Sequence, residues 1–66
     1  MELYQATKDF ASSMHALVLK GDILELFETE DGVCYFQVII SSFALDFEIS
    51  LTTKEVEKFL KKMVAS

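Results

Sequence analysis

Residues 2–20, ELYQATKDFASSMHALVLK, decide the fold. Leu3, Phe10 and Leu17 recur every seven residues, and Met14 and Val18 join them on the adjoining flank, as in an amphipathic helix. Gln5, Lys8, Ser12 and His15 fall on the other side. Lys20 suits a last helical turn and Gly21 the left-handed position just past it. The Ser12-Ser13 pair and the dense end Ala16-Leu17-Val18-Leu19 weaken this reading. That end also fits a strand turning at Gly21-Asp22 into the next one. The spacing predicts a helix over 2–20.

Outward from it, residues 23–28, ILELFE, read as a short strand, with Leu24 and Leu26 on one side and Ile23, Glu25 and Phe27 on the other. Asp31-Gly32 between two apolar runs is a hairpin signal. Residues 33–51, VCYFQVIISSFALDFEISL, contain thirteen apolar residues among nineteen, split by Ser41-Ser42. The second half alternates: Phe43, Leu45, Phe47, Ile49 and Leu51 point one way, Ala44, Asp46, Glu48 and Ser50 the other. The first half is apolar on both faces, with Cys34, Phe36, Val38 and Ile40 opposite Val33, Tyr35, Gln37 and Ile39. Such a strand needs cover on both sides.

Thr52 with Glu55 three residues on forms a capping box. Val56, Phe59, Leu60 and Met63 then fall at i, i+3, i+4 and i+7, the stripe of a C-terminal helix whose lysines face water. The expected fold is α+β: one domain over 1–66, order α-β-β-β-α, a three-stranded antiparallel meander under an N-terminal and a C-terminal helix. The uncovered sheet face would then present Ile23, Phe27, Val33, Tyr35 and Ile39.

Sixty-six residues bury little surface, about 60% of what the unfolded chain exposes, yet 52% of them are hydrophobic. Oligomerisation is one way for so small a chain to use that excess. Cys34 is the only cysteine, which excludes an internal disulfide and fits a reducing compartment. The start at Met1-Glu2 lacks a basic, then apolar leader, and no apolar run approaches the roughly 20 residues of a membrane span. A soluble cytoplasmic protein is expected.

Charge is segregated. Residues 21–50 hold Asp22, Glu25, Glu28, Glu30, Asp31, Asp46 and Glu48 and no basic residue, while 51–66 carry Lys54, Lys58, Lys61 and Lys62 against Glu55 and Glu57. Arginine, the side chain best suited to phosphate and base recognition, is absent. Direct nucleic-acid binding is therefore disfavoured, and its one route is the lysines of the C-terminal helix.

Residues for catalysis are few. His15 is the only histidine and falls on the polar side; Ser12 and Ser13 stand beside it in sequence without the spacing of a triad. One histidine and one cysteine make no metal set, and the acids from Asp22 to Asp31 do not match a calcium loop. Asp46 and Glu48 share a strand face, roughly 6.5–7 Å apart, but a chain this small has little room for a catalytic pocket around them. Gly21 and Gly32 make no phosphate-binding loop. No catalytic residue, metal or cofactor is expected.

The sequence thus points to a small acidic protein–protein interaction module. A homodimer would form through Ile23, Phe27, Val33, Tyr35 and Ile39. Alternatively, Glu25, Glu28, Glu30, Asp31, Asp46 and Glu48 would engage the basic surface of another protein and block it. Small inhibitor proteins, phage-encoded ones aimed at host defence enzymes among them, share this size and charge.

Overall fold

Asp31 and Gly32 both adopt positive φ, 51° and 76°, between the paired residues Glu30 and Val33. Two consecutive left-handed residues make a type I′ turn, whose twist matches that of the strands it joins. A long hairpin grows from it. In the computed structural model, which describes residues 2–12, 17–41 and 47–63, that hairpin is the centre of a mostly β protein.

Seven strands and one short helix occur among the described residues: β1 (Glu2–Ala6), β2 (Phe10–Ala11), β3 (Leu17–Val18), β4 (Ile23–Glu30), β5 (Val33–Ile40), β6 (Phe47–Thr52), α1 (Thr53–Phe59) and β7 (Leu60–Lys62). Five strands form an antiparallel sheet in the order β6-β5-β4-β1-β7, and β2 with β3 forms a separate two-stranded ribbon. This overturns the α-β-β-β-α sandwich. The strands expected around 23–28, 33–40 and 43–51 are neighbours in the sheet, but the last is described only from Phe47. Phe43, Ala44, Leu45 and Asp46 lie outside the described residues.

The largest correction concerns residues 2–20. They contain three short strands and no helix among those described. Glu2–Ala6 lies between β4 and β7, where its backbone groups join a ladder on each side. A lone helix in this stretch would depend on packing its apolar stripe. Insertion into the sheet gains two ladders as well as burial. Gly21 does have positive φ, 96°, but as the third residue of a turn closed by the Asp22 amide donating to the Leu19 carbonyl at 3.0 Å. That is a type II turn, not a helix cap. Two aspartates fix its approach: Asp9 Oδ1 accepts from the Lys20 amide at 2.7 Å, and Asp22 Oδ2 from the Leu19 amide at 3.0 Å.

At the other end the capping box is present, with Thr52 and Glu55 each accepting from the other's backbone amide. The helix nevertheless stops at Phe59 rather than continuing to Met63. Leu60 is already extended, and Leu60–Lys62 pair with β1. The stripe read as one helix face is divided: Val56 and Phe59 on α1, Leu60 on β7, and Met63 beyond it, donating its amide to Leu3.

One face of the sheet carries the core. Tyr4, Leu24, Val38 and Phe47 are in register across four strands, as are Leu26, Phe36 and Ile49 across three. Leu24, Phe36, Val38, Leu51 and Val18 are fully buried. Phe10 and Val18 enter from the ribbon, and Val56 and Phe59 from α1, supplying the cover that an N-terminal helix was expected to give. Phe10 stacks on Phe59 at 4.5 Å, and Tyr4 meets Phe36 edge-on at 5.3 Å. Each such side chain contributes about 1.5–3 kcal/mol on burial.

The sheet must coil around this core. Strands β6 and β7 are its two edges and run parallel, yet only α1, seven residues, joins them. Those residues rise roughly 10 Å, whereas the edges of a flat five-stranded sheet stand roughly 19 Å apart. Register shifts in the β4–β5 ladder, between Ile23 and Leu24 and between Leu26 and Glu28, add the local twist that helps bring the edges together.

Candidate functional site: the outer face of the central hairpin

The second of those shifts determines what the outer face displays. Leu26 pairs with Phe36 and Glu28 with Tyr35, so Phe27 is an extra residue on β4. Up to Leu26 the even-numbered residues of β4 face the core. Past Phe27 the phase is reversed. Glu28 and Glu30 therefore stand on the outer side with their partners Tyr35 and Val33, joining Glu25, which is in register with Gln37 and Glu48. One inserted residue thus gathers carboxylates from both halves of β4 onto one face. The other shift leaves Ile39 without a partner on β4, since Leu24 pairs with Val38 and Ile23 with Ile40.

Both inserted residues are exposed and apolar. Phe27 is 51% exposed and Ile39 38%, followed by Ile40 at 62%. The Phe27 ring lies against that of Tyr35, centroids 6.5 Å apart and planes tilted by 42°. Tyr35 and Val33 are half-buried, and Ile23 is buried within the chain, leaving it little area for a partner. The expected apolar face is therefore divided. Phe27 and Tyr35 lie toward the Asp31-Gly32 turn and Ile39 and Ile40 at the far end of β5, with Gln37 and Glu25 between.

Of the expected acidic set, Glu28, Glu30, Asp31 and Glu48 are exposed and Glu25 is half-buried. None of these five has an ion pair among the described residues, and Asp46 lies outside them. The aromatic pair is bordered by unneutralised carboxylates.

The lysines occupy other elements. Lys54 and Lys58 are on α1, Lys61 and Lys62 on the edge strand β7, so they do not share the single helix face expected of a nucleic-acid contact. Lys62 pairs with Glu2 at 3.3 Å, and the Lys8 and Lys58 ammonium groups lie 5.7 and 5.4 Å from the centre of the Phe59 ring. Cys34 is buried. Ser13 and His15 lie outside the described residues, and no three metal-ligating side chains converge among those described. No helix among them is long and apolar enough to cross a membrane.

Sequence reasoning missed Ile40, and it missed a cleft of about 240 Å³ lined by Gln5, Ala6, Thr7, Lys20, Gly21 and Lys61. Three separate segments form that cleft, and the pairing of β1 with β7 on one side and with β4 and its preceding turn on the other brings them together. No family model, curated protein or solved structure matches this chain.

Proposed function

We propose that the chain is a non-enzymatic protein-binding module whose contact surface is the outer face of β4 and β5, and that it self-associates there as a homodimer. The observation that supports this most is the exposed Phe27 ring, set on Tyr35 by a break in strand register. Aromatic residues are enriched in interface cores, and acids such as Glu25, Glu28 and Glu30 suit a polar rim. A bulge that re-aims a side chain is a recurrent feature of functional surfaces.

A second reading is favoured by the unpaired carboxylates. The same face would engage a basic surface on another protein and block it as a charge mimic. The two readings differ in the sign of their salt dependence. Two copies bring like-charged rims together, so a homodimer tightens as salt screens the repulsion; a complex with a basic partner weakens. Sedimentation equilibrium from low to high salt, on the native chain and on Phe27→Ala, is the test. The homodimer reading expects a dimer that strengthens with salt and weakens roughly tenfold or more in the variant, the loss typical of a central aromatic anchor. A monomer at every salt concentration overturns it and leaves the basic-partner reading.

A further inference from the structure

The cleft between β1, β7 and the Leu19–Asp22 turn is the concave counterpart of the acidic face. Its charged lining is cationic in a chain with a net charge of −5. Lys61 stands opposite Gln5 in the β1–β7 ladder, and Lys20 occupies the turn whose Gly21 amide donates to the Ala6 carbonyl at 2.9 Å. Neither lysine side chain has an ion pair or hydrogen bond among the described residues, whereas the adjacent Lys62 is neutralised by Glu2. Lys20 and Lys61 therefore line one concavity with no ion pair to either ammonium group among the described residues, and an anion held there would meet both charges.

The lining also restricts how an anion is held. The amides of Ala6, Thr7 and Gly21 are consumed by the carbonyls of Asp22, Phe59 and Ala6, and the Thr7 hydroxyl also donates to Phe59. Gln5 Nε2 donates to the Gly21 carbonyl over 3.4 Å. The donors left over are the second Gln5 Nε2 hydrogen and the two ammonium groups, compact point charges rather than a planar fork. Asp9 and Asp22 lie close by, each holding a backbone amide of the turn; they weaken the hold on any anion, and where the lysines prevail a doubly charged anion gains about twice what a singly charged one does. The cleft is also smaller than the roughly 300–1,000 Å³ of ordinary ligand pockets.

We infer that this cleft binds a single phosphate-class dianion between Lys20 and Lys61, either free or as the terminal group of a phosphate monoester. The test is an amide NMR titration at fixed ionic strength with inorganic phosphate, with O-phosphoserine, and with acetate as the monoanion. Saturable shifts confined to Gln5, Thr7, Gly21 and Lys61 are expected with both phosphates and not with acetate. O-phosphoserine binding more tightly than inorganic phosphate identifies the monoester as the preferred source; the reverse identifies the free ion. Lys20→Gln and Lys61→Gln should each weaken binding about threefold or more, and together abolish saturation while leaving the spectrum dispersed. Lys54→Gln, on α1, should change nothing. Shifts that never saturate, that spread over all the lysines, or that persist in the double variant overturn the inference.

Discussion

The hairpin of β4 and β5 and the segment from Glu2 to Lys20 are both rich in apolar residues, yet only the first declares its structure locally. In the hairpin the decisive signals are neighbours: alternation along each strand and Asp31-Gly32 between them. In the N-terminal segment the decisive partners are remote. Glu2–Ala6 is a strand because β4 lies on one side of it and Lys62, about as far away in sequence as the chain allows, on the other. Seven-residue spacing of Leu3, Phe10 and Leu17 is real, but those residues belong to three different strands. A local pattern can be satisfied by a helix while the energy minimum is set by non-local pairing.

The strongest way to break this contrast is Gln5→Pro. Were residues 2–20 a helix, Gln5 would sit in its first turn, where proline is tolerated. As the fourth residue of a strand flanked on both sides, it loses a ladder hydrogen bond whichever neighbour its amide faces. We expect a loss of up to about 3 kcal/mol in urea unfolding, from the partner carbonyl left without its donor, a large part of the stability of so small a domain. A change below about 0.5 kcal/mol would argue for the helix.

The two glycine turns offer a smaller and more even-handed comparison. Gly32 closes the locally encoded hairpin and Gly21 the turn into β4, both at positive φ, and a Cβ added at either position meets nothing within 4 Å. The cost of alanine is therefore conformational alone, about 1–2 kcal/mol at each site by urea unfolding. Equal losses would indicate that the two turns are equally fixed in the folded state, whatever their difference in legibility. A negligible loss at Gly21 would mean that the type II turn does not hold the entry to β4.

Much of the sheet was legible and its phase was not. The pairing of β4 with β5 and of β5 with β6 from Phe47 on, the Asp31-Gly32 turn and the Thr52–Glu55 cap all rest on short-range chemistry and are present, although the three-stranded meander they were read into is not. Past Phe27 and Ile39, alternation misassigns faces, because a register shift is decided by the partner strand and leaves no mark on its own residues. Ile40 shows the consequence. Simple alternation places it with Cys34, Phe36 and Val38 on the core side, yet it pairs with Ile23 and is 62% exposed. The end of α1 was hidden for the same reason as β1. With residues 2–20 read as a helix, Leu60–Lys62 had no strand to pair with, and a longer helix was the natural reading.

The smallest predicted effect tests the most remote of these pairings. Lys62 Nζ and Glu2 Oε1 are 3.3 Å apart with side chains 58% and 49% exposed, so their direct interaction is weak. A double-mutant cycle with Glu2→Gln and Lys62→Gln should give a coupling of about 0.2–1 kcal/mol at low salt, fading as salt rises. The sign and the existence of the coupling matter more than its size. With a helix at each end, as the sequence suggested, nothing fixes these two side chains near each other and the cycle closes to zero. Measurable coupling requires β7 to lie beside β1, and that adjacency also brings Lys61 across from Gln5 to form the cleft. A salt-sensitive coupling would therefore support the edge strand and the geometry of the proposed anion site together.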